Sequence, residues 1–197
     1  ITFLSSEKNI KYLKSTNASA VIINDKLNID NNELVIIKVD NPIRSFTEVM
    51  NLFHPKKKIR AYLDESAIIS TTAKVGKTVS INKNVVIDNN VSIGDNVYIG
   101  SGCYIAENVH IGDHTFLNSN VNVYHDVILK KHIYIDSGSV IGSDGFGIIT
   151  NENGKIEKFP HIGKVIIENN VSIGANTCID RGTINDTVIG EYTKLDN

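Results

Sequence analysis

A strict six-residue period dominates the chain and restricts its fold more than any other feature. Every sixth residue from Ile69 to Ile141 is aliphatic, and a second, mostly aliphatic row from Val79 to Ile133 precedes it by two residues. An α-helix repeats every 3.6 residues or so and a plain strand every two, so neither explains the pattern. A parallel β-helix does, because each unit supplies one short strand, a corner and two inward side chains. The first row is Ile69, Val75, Ile81, Ile87, Ile93, Ile99, Ile105, Ile111, Leu117, Val123, Leu129, Ile135 and Ile141.

Charge and composition narrow the functional classes. The formal net charge is −2, which argues against a basic surface for nucleic acid. No apolar stretch approaches the roughly 18 residues of a membrane span, and no signal-peptide pattern is present. Two cysteines do not make a disulfide scaffold, and both are expected to pack as small hydrophobic residues in a reducing, cytoplasmic setting. The lysine run between Pro55 and Arg60 is interpreted as a solvated linker, with a docking patch for an acidic partner as the alternative.

The chain divides into two regions. Residues 1–60 predict a small α/β domain, with a short helix capped by Ser5-Ser6, buried strands at 20–23 and 34–39, and a helix that begins at Asn41-Pro42. Residues 61–197 predict the β-helix, with an excursion at 143–164 that breaks the period. The chain opens without an initiator Met on the strand-like Ile1–Leu4, and it closes at Asp196-Asn197 in the middle of a repeat, without the capping element that stacked repeats normally carry, so we expect a fragment truncated at both ends.

Three coil units make one turn of the predicted solenoid, so residues eighteen apart should stack. This places Tyr98, Phe116 and Tyr134 in an aromatic column, and Asn96, His114 and His132 in a polar one. An exposed aromatic column indicates a subunit interface or a contact with the excursion. The two stacked histidines could offer metal ligands, but no third ligand is evident at matching height, and an outward polar column is the preferred interpretation.

The six-residue period slips at residues 180–185, and charged residues cluster in and after this segment. Asp180, Asp186 and Asp196 suit turn and capping roles, with a substrate or catalytic role as the alternative. Arg181 could hold a phosphate or pin the slipped turn. The glycines that follow row residues are predicted to relax backbone strain at the corners.

Several stretches carry a family resemblance. The repeat resembles that of the hexapeptide-repeat acyltransferases, whose fold is a left-handed parallel β-helix assembling as a homotrimer. Within that group the chain resembles the UDP-3-O-acylglucosamine N-acyltransferases of lipid A biosynthesis in Gram-negative bacteria. The resemblance covers essentially the whole chain. It rests on Ile1–Leu4 with Ala18–Ile22, Val39–Pro42, the Val140–Gly147 stretch VIGSDGFG, and Ile179–Gly182 through Asp186–Gly190.

The resemblance implies a reaction and partners. The family moves a 3-hydroxyacyl chain from acyl carrier protein to the 2-amino group of UDP-3-O-acyl-glucosamine, with a histidine as general base and no metal or other cofactor. That histidine would lie beyond residue 197, so the fragment is expected to be inactive. Asp196 and Asn197 match the pair just before it, Asp196 as a candidate orienter of the base and Asn197 as a polar wall.

The N-terminal domain resembles the family's uridine-binding domain. Phe3 matches the aromatic residue that stacks on uracil. Ser6 and Asn9 stand where family members often carry Asn and Tyr, and Tyr12, about one helical turn on, could replace the second aromatic wall.

Three other interpretations remain open. One is another hexapeptide acyltransferase or acetyltransferase acting on a nucleotide sugar. The second is a metal-binding protein similar to the hexapeptide-repeat carbonic anhydrases, and the third is a non-catalytic trimeric β-helix scaffold. Uridine nucleotide binding at Phe3 separates the first interpretation from these.

Overall fold

The computed structural model describes residues 1–29, 34–55 and 59–197. Two compact units make up the chain, Ile1–Lys58 and Ile59–Asn197, and each is described by itself. Lys56–Lys58, the centre of the lysine run, lie outside the described residues, so the linker assignment stays a prediction.

The N-terminal unit is a three-stranded parallel sheet with two helical segments. The strands are Thr2–Leu4, Ala20–Asn24 and Val35–Val39, in that spatial order. A 3-10 helix spans Glu7–Lys14, and an α-helix spans Pro42–Phe53 with Asn41 as its N-cap. Leu4, Leu13, Val21 and Ile23 form the core.

One expectation for this unit is wrong. The apolar run at 34–39 predicts a buried strand, yet most residues of Val35–Val39 are exposed, because this strand is the edge of the sheet and pairs in register only with Ala20–Asn24 within the described residues. An apolar run of this length does not distinguish an edge strand from a central one. The central strand, Ala20–Asn24, is buried as predicted.

The second unit is a left-handed parallel β-helix with three sheets. Each strand pairs in parallel with strands of the neighbouring coils, as Tyr98 does with Ser80 and Phe116. The first sheet contains Tyr62–Leu63, Ser80–Ile81, Tyr98–Ile99, Phe116–Leu117, Tyr134–Ile135, Ser172–Ile173 and Lys194–Leu195. The second contains Ile68–Ile69, Val86–Ile87, Tyr104–Ile105, Asn122–Val123, Val140–Asp144 and Cys178–Arg181. The third contains Lys74–Val75, Ser92–Ile93, His110–Ile111, Ile128–Leu129, Val165–Ile167 and Thr187–Ile189.

The two sequence rows fill the core of this β-helix. The first row is buried from Ile81 to Ile141, whereas Val75 is exposed and Ile69 only partly buried in the first coil. Where the second row has polar residues, their hydroxyls are satisfied internally: Thr115 Oγ1 donates to the Lys130 carbonyl at 3.3 Å and Ser139 Oγ to the Gly174 carbonyl at 2.8 Å.

The cysteines differ from the expectation in one case. Cys103 is buried in the core, but Cys178 is exposed. Strand alternation is the reason, since Ile179 points inward and its neighbour Cys178 therefore points out.

The corners use left-handed backbone at one position in six. This position directly precedes each residue of the second row and favours asparagine, which tolerates positive φ better than most residues. In the first block it is occupied by Thr78, Asn84, Asn90, Asn96, Gly102, Asn108, His114, Asn120, Asp126, His132 and Gly138.

The glycines after the row residues have a different role from the one predicted. Of these only Gly142 has a positive φ, at 88°. At Gly100 an added Cβ would lie 2.6 Å from the Ser119 backbone nitrogen, and at Gly76 it would lie 2.5 Å from the Gly94 carbonyl oxygen. Close approach of successive coils, rather than backbone strain, therefore excludes a side chain at Gly76 and Gly100.

Both predicted columns are present. The ring centroids of Tyr98 and Phe116 are 4.2 Å apart, and those of Phe116 and Tyr134 are 5.3 Å apart. His114 and His132 stack at 4.8 Å with nearly parallel rings.

The excursion contains an antiparallel hairpin, Ile148–Thr150 with Ile156–Lys158. The chain leaves the coil from the strand Val140–Asp144 and returns in the strand Val165–Ile167. A register shift between Ile141 and Asp144 marks the exit.

Candidate functional site

A cavity of about 290 Å³ lies in the N-terminal unit, beside the first strand and the 3-10 helix. Three of the four predicted substrate-binding residues, Phe3, Asn9 and Tyr12, line it, and Ser6 does not. Phe3 is partly exposed at this cavity, whereas Leu4, which also lines it, is buried in the core. The remaining lining residues are Thr2, Leu4, Ser5, Leu13 and Thr16.

Phe3 provides an aromatic surface at the cavity. Its ring packs against Phe46 of the α-helix, with centroids 4.8 Å apart and planes tilted by 33°, and 36% of the residue stays exposed. No pattern in the sequence indicates this contact, because Phe46 comes from an element distant in the chain. An aromatic ring held by a neighbour and open to solvent can stack on a flat ligand ring.

The helix after the first strand determines the roles of the other candidates. Ser6 is its N-cap and accepts a hydrogen bond from the Lys8 backbone at 3.4 Å, so this hydroxyl is used locally. Asn9 and Tyr12, three residues apart, both reach the cavity. Lys11 Nζ lies 5.1 Å from the centroid of the Tyr12 ring, a cation–π contact not foreseen from the sequence.

The predicted catalytic pair belongs to the other unit. Asp196 and Asn197 follow the strand Lys194–Leu195 and are exposed. The Asn197 backbone donates to Asp196 Oδ1 at 3.0 Å, which orients the carboxylate locally. The Asn197 backbone also lies close to Gly174, where an added Cβ would be 2.8 Å from its nitrogen.

Arg181 is the most deeply buried charged side chain of the β-helix, with 2% of the side chain exposed. Its Nε donates to the Gly142 carbonyl at 2.8 Å, and its Nη2 donates to the His125 carbonyl at 2.9 Å. Its Nη1 lies 3.3 Å from His125 Nδ1, and its Nε lies 3.7 Å from Asp144 Oδ1. Because the guanidinium is engaged by protein acceptors, the structure favours pinning over phosphate binding.

Two carboxylates are linked to this arginine, Asp126 through His125 and Asp144 directly. His125 Nδ1 lies 2.7 Å from Asp126 Oδ2, and this hydrogen bond lowers the pKa of Asp126. Lys158 Nζ donates to Asp144 Oδ2 at 2.8 Å, and that hydrogen bond, helped by the charges of Lys158 and Arg181, lowers the pKa of Asp144.

Asp180 and Asp186, two of the carboxylates near the slip in the period, make contacts typical of turns. Asp180 accepts from the Ser143 hydroxyl at 2.5 Å, and Asp186 accepts from the Lys164 backbone at 3.0 Å. Both contacts hold the ends of the excursion to the slipped segment. They agree with the turn and capping interpretation.

Within the described ranges, no group of three or more His, Cys, Asp or Glu side chains could hold a metal ion. His114 and His132 are exposed corner residues in left-handed backbone, as the outward-column interpretation predicted. Among the helices that the structure describes, none is long and apolar enough to cross a membrane.

Comparisons with known proteins match both units. The family model "UDP-3-O-(3-hydroxymyristoyl) glucosamine N-acyltransferase, LpxD" matches residues 1–52. The model "GMPPB C-terminal domain" matches residues 63–145. The UDP-3-O-acylglucosamine N-acyltransferase of Methylobacillus flagellatus is 44% identical over 197 residues, and that of Pseudomonas fluorescens Pf0-1 is 47% identical over 199.

These matches cover the whole of this chain but only part of each relative. The chain spans 56% of the length of each of these curated relatives. A solved structure, a point mutant of perosamine N-acetyltransferase from Caulobacter crescentus in complex with CoA and GDP-perosamine, is 12% identical with a TM-score of 0.35. It covers 98% of this chain and 72% of that one, and at this TM-score it supports no argument.

Proposed function

Because this chain is a relative of the UDP-3-O-acylglucosamine N-acyltransferases over its whole length, we propose that it forms part of an N-acyltransferase. The reaction would move a 3-hydroxyacyl chain from acyl carrier protein to the 2-amino group of UDP-3-O-acyl-glucosamine, a step of lipid A biosynthesis. The observation that carries the proposal is the cavity at Phe3, which lies within residues 1–52, the segment matched by the family model.

The cavity suits a uracil ring. Phe3 would stack on one face of the base, which is typically worth about 1–3 kcal/mol per base. Asn9, at the same cavity, carries an amide that can both donate to and accept from the polar edge of a pyrimidine. Tyr12 would form a second wall, and the nearby Lys11 ammonium would favour the diphosphate.

The chemistry requires a nucleophile and a base. The 2-amino nitrogen attacks the thioester carbonyl, the C–S bond breaks, the carrier thiol leaves, and the amine loses a proton to a general base. In our proposal Asp196 orients that base and Asn197 lines the site. The resemblance places the base in sequence that follows residue 197, so we expect residues 1–197 alone to bind uridine nucleotides without transferring acyl groups.

The partners follow from the same proposal. Acyl carrier protein is the donor, the UDP-sugar is the acceptor, and the setting is the cytoplasm, where acyl carrier protein is found. We also propose a homotrimer, supported by the half-exposed column of Tyr98, Phe116 and Tyr134, an apolar surface that self-association would cover.

Nucleotide titration tests the proposal. The chain is titrated with UMP and with AMP, using isothermal calorimetry or NMR. We expect UMP to bind, and Phe3→Ala to weaken UMP binding at least tenfold, since about 1.4 kcal/mol of lost stacking is a factor of ten. Phe53→Ala is the matched control, because Phe53 is an exposed aromatic residue that does not line the cavity. Failure of UMP to bind the folded chain would refute the proposal and favour the scaffold alternative.

A further inference from the structure

The excursion (residues 143–164) presents apolar side chains to solvent. Phe146 is 96% exposed, and Ile148 and Ile156 are also exposed. Insertions in a solenoid lie on one face, which is often the binding face. An exposed apolar side chain contributes more to binding if its position is fixed beforehand, since a mobile one loses conformational freedom on every encounter.

One residue of the coil holds the exit of the excursion. Arg181 donates to the carbonyls of Gly142, where the chain leaves, and of His125, in the preceding coil. Gly142 has φ of 88°, so the exit also depends on a conformation that other residues rarely adopt. Arg181 therefore links the excursion to the coil at the point where the backbone turns out.

The link continues into the hairpin. Arg181 Nε lies 3.7 Å from Asp144 Oδ1, and Asp144 Oδ2 accepts from Lys158 Nζ at 2.8 Å. Asp144 belongs to the outgoing strand and Lys158 to the returning one. One chain of charges thus ties the buried guanidinium to both legs of the excursion.

The returning leg packs against the outgoing one. His161 Nδ1 lies 3.0 Å from the Phe159 carbonyl oxygen. Its ring fills the space left by two glycines: an added Cβ would lie 2.9 Å from His161 Nε2 at Gly145, and 3.0 Å from His161 Cε1 at Gly147. The space beside the glycines on both sides of Phe146 is therefore occupied by His161, and this limits the positions that Phe146 can take.

From this arrangement we propose that Arg181 is a positioning residue, which holds the excursion in one orientation through Gly142 and Asp144 and so fixes the place of Phe146 as a ligand contact. The proposal rests on the proposed function only in taking the excursion to lie on the substrate-binding face. The link itself requires no substrate.

A positioning role and a purely stabilising role make different predictions for the mobility of the excursion in the folded protein. Arg181→Met removes the donor to two carbonyls, and a buried acceptor left unsatisfied costs about 1–3 kcal/mol, so this variant should lower the melting temperature under either role. Only the positioning role predicts that the excursion also loosens at temperatures where the chain stays folded. Arg181→Lys keeps the charge but loses the two diverging N–H donors, so it should loosen the excursion as well.

The chain provides a clean background for a fluorescent reporter, because it contains no tryptophan. Phe146→Trp places a single indole at this exposed position of the excursion, where its size meets little constraint. In that background we expect the steady-state anisotropy of the introduced indole to fall in Arg181→Met and Arg181→Lys. The anisotropy is measured well below the melting temperature, which should itself fall in Arg181→Met because two carbonyls lose their donor. Arg44→Lys is the control, because Arg44 is an exposed arginine in the N-terminal unit.

A second pair of variants decides the matter if Arg181→Met does not fold. Lys158→Met breaks the exposed end of the charge chain without disturbing a buried group. Lys155→Met serves as its control, because Lys155 lies in the turn of the same hairpin and makes no ion pair in the described part of the chain. A fall in anisotropy for Lys158→Met alone supports the proposal.

Three results would overturn it. One is unchanged anisotropy of the Phe146→Trp reporter in Arg181→Met and Arg181→Lys. The second is an equal fall in both lysine variants. The third is a lower melting temperature in Arg181→Met together with unchanged anisotropy in Lys158→Met. This result would mean that Arg181 stabilises the fold without positioning the excursion. UMP binding at Phe3 is independent of all these readouts, so failure here is distinguishable from failure of the proposed function.

Discussion

Replacing Gly100 by alanine tests whether coil spacing, rather than backbone conformation, demands glycine after the row residues. The added methyl would lie 2.6 Å from the Ser119 backbone nitrogen and 2.7 Å from the Asn118 carbonyl carbon. Ordinary contact begins at 3.4 Å, so the neighbouring coil must move by about 0.8 Å. The obstacle is main chain, which cannot rotate away. The Gly100 N–H bond to the Leu117 carbonyl, now 2.8 Å, would be stretched by that movement.

The expected cost follows from this overlap. Overpacking of this kind costs about 1–3 kcal/mol. Alanine recovers about 0.4–1 kcal/mol by restricting the unfolded chain. The net loss is about 1–2 kcal/mol, which should lower the melting temperature by roughly 2–8 °C in a chain of this size.

Gly190→Ala is the matched control for Gly100→Ala. Gly190 also follows a row residue, Ile189, but an added Cβ there would meet only Thr193 Oγ1, at 3.9 Å. This variant should be neutral or more stable by up to about 1 kcal/mol. Thermal unfolding followed by circular dichroism measures both variants. If Gly100→Ala and Gly190→Ala shift the melting temperature equally, contact between coils is not the reason for these glycines.

Two further predictions concern a thiol and a carboxylate. A thiol reagent should label Cys178 in the native protein and Cys103 only after unfolding, because Cys178 is exposed whereas burial raises the pKa of Cys103 to about 11. Native labelling that survives Cys178→Ser would contradict this. The anisotropy of the Phe146→Trp reporter should fall as the pH drops below about 4, since the pKa of Asp144 is lowered in the fold, so its tie to Lys158 is complete above the unfolded value of about 3.9 and lost on protonation. Asp144→Asn should abolish this pH step, and a step that persists would assign it to another group.

The regular part of the fold could be predicted because every coil repeats one packing solution. The six-residue rows identified the buried positions from Ile81 to Ile141, and their spacing placed Tyr98, Phe116 and Tyr134 in one column. The exposed Val75 shows where such reasoning fails, since its strand is the edge of the third sheet and pairs on one side only.

The candidate site was less accessible to sequence reasoning. Phe3, Asn9 and Tyr12 came from a family resemblance, and the structure places them at one cavity. Ser6 is the cap of the short helix, as its sequence predicted, but the pattern could not show that Phe46 packs on Phe3. That contact joins elements distant in the chain, which local propensity does not encode.

The contacts of the irregular segments could not be predicted from the six-residue repeat. A solenoid core needs only aliphatic rows and tolerant corners, so nothing in the period requires a buried guanidinium at 181. The carbonyls that Arg181 contacts, at His125 and Gly142, come before the break in the period at 143–164, whereas Arg181 comes after it, and the length of such a break cannot be converted into a distance. A buried guanidinium restricts the geometries in which its partners are satisfied, and its removal leaves the carbonyls of His125 and Gly142 without this donor. At this position the chain therefore gains a defined orientation of the excursion, and the exposed end of the same chain of charges, Lys158, is where Lys158→Met should lower the anisotropy with little effect on the melting temperature.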